Sequence, residues 1–178
     1  MSERIGALRL VESVLLQAPF RLILGGLFVF AAWVKLSNPQ AFAFAIKAFD
    51  IIPVESGEHV IKVMTFALPW AEGICGVLLI LGLFTRPAAA LLSLQLLVFI
   101  GAIISVLARE MHTECGCFGK YDWPCEGAKI TMCHVWRDVA MLVPAVYLTI
   151  RGGGVLALDW PRERGGRARG AAPEDSLD

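Results

Sequence analysis

Residues 87–108 read PAAALLSLQLLVFIGAIISVLA, 22 positions without a charge, bracketed by Arg86 and Arg109. A helix needs ~20 apolar residues to cross the hydrocarbon core of a bilayer. This stretch therefore predicts a transmembrane helix, and lipid becomes the solvent against which the rest of the chain is read. Composition agrees: 57% of the 178 residues are hydrophobic and 18% charged, and mean hydropathy is +0.65. Soluble domains run nearer about 45–50% apolar and about 25% charged. The sixteen basic and sixteen acidic residues cancel, which leaves no basic footprint for nucleic acid.

Three further blocks lie outward from this one. Val60 to Phe84 is apolar apart from Lys62 and Glu72 and contains Pro69; membrane helices tolerate proline because neighbours satisfy the freed carbonyl. Val14 to Leu36 holds 13 uncharged residues between Arg21 and Lys35. It spans if those two side chains snorkel to opposite headgroup layers. His134 to Ile150 begins near Arg137-Asp138 and ends at Gly152-Gly153-Gly154, where glycine supplies the left-handed cap common at helix ends. Between the first two blocks, AFAFAIKAFDIIP (41–53) is too short to span and reads as an interfacial or re-entrant helix. Thr85-Arg86-Pro87 links the second and third blocks and makes them antiparallel neighbours. The expected fold is all-α: a polytopic four-transmembrane-helix bundle over residues 1–158, with a short interfacial helix between helices 1 and 2. The Gly-, Arg- and Pro-rich tail, 159–178, is expected to be disordered and cytoplasmic. A secretory leader is the competing reading of the first block, since Arg4 and Arg9 resemble its charged region.

Basic residues set the orientation of such a bundle. Nine arginines fall on the side of the termini and the 2–3 link, against seven basic residues on the other side. The loop from Glu110 to Cys133 holds four of the five cysteines, which suits an oxidising compartment where disulfides persist. Both arguments put the termini in the cytoplasm and the cysteine loop outside.

That loop carries the sharpest local feature, ECGCFG at 114–119. Gly116 gives the backbone the freedom to bring the sulfurs of Cys115 and Cys117 together, and a disulfide closing so small a ring is easily reduced. The alternative is that each pairs with Cys125 or Cys133 as a staple, four cysteines allowing three connectivities. A cysteine-rich zinc site that also draws on His112 and His134 is a further alternative, although the spacing matches no C-x2-C pair. Cys75, in mid-helix, reads as a small apolar residue.

Glu72 lies near the middle of its block, where an ionised carboxylate must pair, face water or be protonated. It is either a structural ion pair or a proton or quinone site. Helix rise sets Arg21 ~9 Å to one side of the midplane and Arg137 ~8 Å to the other, so Glu72 is expected to be buried and paired with Arg21 or Arg137. Arg137-Asp138 reads as an interfacial pair orienting the last helix. Serine-triad, Walker and dinucleotide patterns are absent from the sequence.

With these residues in view, the chain resembles the MauE/DoxX superfamily, and within it the MauE family. The resemblance runs through RLILGGLFVFAAWVKLSNPQAFAFAIKAFDIIP (21–53), PWAEGICGVLLILGLFTRPA (69–88), ECGCFG (114–119) and the RD of VWRD (135–138). CGCFG marks the MauE branch; the glycine-rich first helix and P-x-x-E are shared with DoxX relatives. Carried over residue by residue are Lys35, Pro69, Glu72, Cys115, Gly116, Cys117, Phe118, Gly119 and Arg137. Cys125 and Cys133 lie outside the motif. The resemblance implies a protein of the bacterial cytoplasmic membrane that assists maturation, disulfide formation or transport of a periplasmic partner. That partner would be a thioredoxin-like protein or a disulfide-rich subunit, as in the biogenesis of methylamine dehydrogenase. Its thiol pair would make it a component of thiol–disulfide exchange. The alternatives are a non-catalytic assembly factor and a DoxX-like subunit of a quinone-linked oxidoreductase. No resident cofactor is expected, with zinc and quinone as the alternatives.

Overall fold

The computed structural model describes residues 11–50, 54–110, 125, 130–154 and 157–158. Among the described residues the chain forms five α-helices: α1 (Ala18–Ser37), α2 (Pro39–Ala48), α3 (Val54–Leu81), α4 (Thr85–Ala108) and α5 (Met132–Arg151). A π-helical turn, Ser13–Gln17, leads into α1. The expected tail at 159–178 and the CGCFG pentapeptide both lie outside the described residues.

The helix boundaries have local causes. Asn38 separates α1 from α2, and its side-chain oxygen accepts the Ala41 N–H at 3.2 Å while Pro39 opens the helix; an Asn N-cap followed by proline is a favoured start. At the end of α3, Gly82 takes a φ of +68°. Its N–H reaches Leu79 O at 3.1 Å and the Leu83 N–H reaches Leu78 O at 2.9 Å, the paired bonds of a Schellman ending. The link between α3 and α4 is therefore Gly82–Phe84; Thr85-Arg86-Pro87, expected as the link, forms the first turn of α4. Proline is harmless there because first-turn N–H groups have no intrahelical partner. Thr131 caps α5, and His134 Nδ1 accepts the Thr131 backbone N–H at 3.2 Å, in the place where a capping box usually has Glu or Gln.

Among the described residues three stretches are long and apolar enough to cross a membrane: Val14–Ser37, Gly57–Leu81 and Thr85–Ala108. α5 has spanning length but not that apolarity, because His134, Arg137 and Asp138 occupy its first turns. It is nonetheless integral to the core. Ala145 and Leu148 of α5 are packed in one cluster with Leu24 and Phe28 of α1, Cys75 and Leu79 of α3, and Ala88, Ala89, Leu92 and Leu96 of α4. Cys75 is buried and free.

α1 packs chiefly on α3, and α4 on α5. The first pairing rests on glycine. A Cβ on Gly25 would lie 2.7 Å from Gly76 O, and one on Gly76 would lie 2.8 Å from Gly25 O. Small residues let helix backbones approach this closely in lipid, where no hydrophobic force pulls apolar helices together. A Gly25→Val or Gly76→Val variant should therefore lose about 1–3 kcal/mol to overpacking, read as a lower melting temperature in detergent. Gly26 has open space where a Cβ would go, so Gly26→Ala should melt unchanged or higher, Ala being favoured over Gly in a helix by roughly 0.5–1 kcal/mol.

Candidate functional site

Glu72 is 1% exposed and Lys35 4%. Lys35 Nζ donates to Glu72 Oε1 and Oε2 at 2.6 and 2.7 Å. Gln95 of α4 donates from Nε2 to the same Oε1 at 2.6 Å. The ammonium also lies 5.2 Å from the ring centroid of Phe42 and 5.2 Å from that of Phe99, within reach of the aromatic quadrupole. Three helices and the short α2 thus meet around one ion pair. Its charges are neutralised by each other, and its remaining hydrogen-bonding capacity is taken up by an amide and two rings.

The expected partner of Glu72 was Arg21 or Arg137; the structure corrects this to Lys35. The reason is directional. Ala32 and Gly73 stand opposite each other at the α1–α3 contact, and helical side chains lean toward their own N-terminus. In antiparallel helices Lys35, one turn beyond Ala32, leans back, and Glu72 leans forward to meet it. Lys35 therefore does not snorkel to a headgroup layer. Arg21 does not snorkel either. It is 5% exposed, and its guanidinium donates to Leu79 O and Gly153 O at 2.9 Å and to Ile80 O at 3.3 Å. It thereby ties α1 to the C-terminal carbonyls of α3, which carry the negative end of the helix dipole. Arg137 pairs with its neighbour Asp138 at 3.3 Å.

Asp138 is itself buried, as is His134 one turn before it. Nε2 of His134 has no hydrogen-bond partner among the described residues. Gln95 of this network went unremarked in the sequence, and His134 was read only as the start of the last block and as a ligand of the alternative zinc site. Gln95 had a signal, as the one amide within an uncharged 22-residue run. His134 had the spacing of four that puts it on the face of Asp138.

At the same end of the bundle Cys125 and Cys133 form a disulfide, which settles that pair among the connectivities left open by the sequence. Cys125 is buried, and Cys133 belongs to the first turn of α5, so the bond holds Cys125 against the start of the helix. Cys115, Gly116, Cys117, Phe118 and Gly119 lie outside the described residues. Among the described residues no three His, Cys, Asp or Glu side chains come together as metal ligands.

A small all-helical membrane protein with a charged network sealed inside its bundle and a disulfide at one end is the class that fold and site define. The chain belongs to the MauE family: the family model described as methylamine utilisation protein MauE matches residues 12–151. Over 110 residues it is 33% identical to the methylamine utilization protein MauE of Paracoccus denitrificans, a match covering 61% of this chain and 56% of that protein. The matched region thus spans little more than half the length of that relative. No solved structure matches the chain.

Removing one member of a buried ion pair strands the other charge, at a cost of about 3–5 kcal/mol. Glu72→Ala and Lys35→Ala should each lose that much stability in detergent unfolding. Glu72→Leu combined with Lys35→Met should lose clearly less than the two single losses added, because no charge is left unpaired. Strict additivity would show that the pair is not coupled.

Proposed function

We propose that this protein assists the disulfide formation, processing or transport of an extracytoplasmic partner protein in methylamine utilisation, exchanging thiols and disulfides through Cys115 and Cys117. The partner's chemistry follows from the exchange: a thioredoxin-like protein or a disulfide-rich enzyme subunit. The reading rests on membership of the MauE family and on the pathway in the name of its Paracoccus relative.

The observation that carries the mechanism is the Cys125–Cys133 disulfide. Disulfides persist in oxidising compartments, and one connection between α4 and α5 contains this bond and, in sequence, Cys115 and Cys117. Exchange needs an accessible thiolate and a second thiol to resolve the mixed disulfide; C-G-C supplies two sulfurs a single residue apart.

In this reading α5 is a fourth span, α2 lies in the outer interface, and both termini face the cytoplasm of a bacterial inner membrane. The face of α5 supports its crossing. Its ionisable residues His134 and Asp138 are buried, while Trp136, Val143, Val146 and Ile150 are exposed, so the polar side turns inward and the apolar side is left for lipid. Its 20 residues reach ~30 Å at 1.5 Å each, the thickness of a hydrocarbon core. The disulfide also favours a second reading, a non-catalytic assembly factor whose stapled loop is only a docking surface.

A Cys117→Ser variant separates the two. Exchange through this pair predicts a mixed disulfide between Cys115 and the partner, visible as a reductant-sensitive band on non-reducing gels. Normal partner maturation with no such band would leave the assembly factor. Reporter fusions after Arg86 and after Lys120 should report cytoplasmic and extracytoplasmic positions respectively; a cytoplasmic residue 120 would sink the orientation and the thiol chemistry together.

A further inference from the structure

The two halves of the Cys125–Cys133 disulfide are unequal. Cys125 is 3% exposed, whereas Cys133 is an exposed residue, so the bond is open to solvent from the Cys133 side. Cys133 is the second residue of α5, after Met132. First-turn N–H groups have no intrahelical partner there, and the helix dipole is at its positive end. No acidic residue lies in that turn to cancel it. Asp138 is further along the helix, buried and paired with Arg137 at 3.3 Å.

Thiol–disulfide exchange calls for this division of roles. The attacked sulfur must be accessible, and the sulfur released last must be stable as a thiolate. Access selects Cys133 as the attacked residue. Cys125 is then the leaving group of the first step, held in the interior where a passing thiol cannot capture it. Cys133 is the leaving group of the second step, at a helix N-terminus, a position that stabilises thiolates. A staple requires none of this: two sulfurs enclosed alike would hold the helix as well, and exposed disulfides are the more readily reduced. Neither cysteine belongs to the CGCFG motif at 115–119, so exchange at this pair is not among the properties that the family resemblance implies.

We propose that Cys125–Cys133 is itself an exchangeable disulfide that oxidises a dithiol protein. A thiolate of that partner attacks Cys133 Sγ, having given its proton to solvent. The bond between Cys133 and Cys125 breaks, and Cys125 leaves as a thiolate and takes a proton back from solvent. The partner's second thiol then attacks the partner's own sulfur in the mixed disulfide and releases Cys133. The partner ends as a disulfide and this pair as two thiols, two electrons and two protons having passed from one to the other. The inference rests on the exchange reading for the class of partner, and gives that reading a second pair of sulfurs.

The test uses the full chain in nanodiscs with Cys75→Ala, Cys115→Ser and Cys117→Ser, which leaves this pair alone to exchange. Reduced thioredoxin is the dithiol probe; samples are quenched in acid, alkylated and mapped by mass spectrometry. The expected result is opening of the bond in the folded protein, with one thioredoxin disulfide formed for each pair reduced. A thioredoxin whose resolving cysteine is replaced by serine should be trapped on Cys133. Two further variants divide the sulfurs. In Cys125→Ser, Cys133 should react with iodoacetamide about tenfold faster at neutral pH than Cys125 does in Cys133→Ser, because it is exposed and holds more thiolate. Should either variant fail to fold, trapping on the intact pair decides alone. A bond that stays closed until the protein is unfolded in dodecyl sulfate, trapping on Cys125, or equal alkylation of the two cysteines would overturn the proposal. Exchange at this pair without a mixed disulfide at Cys115 in the Cys117→Ser protein would remove the chemistry of Cys115 and Cys117 and leave this site, and the reverse result would remove this site alone.

Discussion

A lysine and a glutamate in the middle of an apolar bundle can be stable only side by side, and this condition organises the protein. Either charge alone would cost several kcal/mol of desolvation; together, at 2.6 Å, they leave one carboxylate oxygen to be shared with an amide and one ammonium to be faced by aromatic rings. Those four demands fix α1, α3, α4 and α2 relative to one another. Lys35 has to be one turn beyond the close contact of α1 and α3, which glycines at 25 and 76 permit. Gln95 brings in α4, and Phe42 brings in α2.

The two ends of the bundle are secured by different means. At one, arginines serve as helix caps. Arg21 reaches the carbonyls that close α3, and Arg86 donates to Ile150 O at 2.9 Å near the end of α5. Glu12 accepts from the Tyr147 hydroxyl at 2.7 Å and approaches Arg151 at 3.4 Å. Placing guanidinium groups on terminal carbonyls satisfies acceptors that lipid cannot, and opposes the helix dipole. At the other end, Arg109 fastens α2 to α4 and a disulfide fastens Cys125 to the first turn of α5.

The membrane-spanning character of the chain was legible because it depends only on the length of apolar runs, and 87–108 satisfies the bilayer with no reference to any other residue. The helix ends were legible to within a few residues: the last helix, expected over His134–Ile150, runs Met132–Arg151. The α3–α4 link was misplaced by three residues, since Thr-Arg-Pro looks like a break and is instead a first turn; proline at a helix start and proline in a loop look alike in one dimension. The family was legible too, from short motifs whose order along the chain is a property of sequence.

Partners were not legible. Arg21, Lys35, Glu72 and Arg137 were each recognisable as charges that lipid would not leave alone, but distance along the membrane normal says nothing about which faces of two helices meet. Rise per residue brought Arg21 and Arg137 within reach of Glu72. Side-chain lean and the Gly25–Gly76 contact, which exist only once α1 and α3 are packed, gave the place to Lys35. The same holds for the Cys125–Cys133 bond, which belongs to one of the three connectivities permitted by the sequence, and for Gln95, an amide that acquires a role only when α4 presents it to Glu72. Sequence by itself determined which segments are long and apolar enough to enter a bilayer and which side chains must find partners there; tertiary structure alone decided who those partners are, because pairing is a property of faces in contact and not of position along the chain.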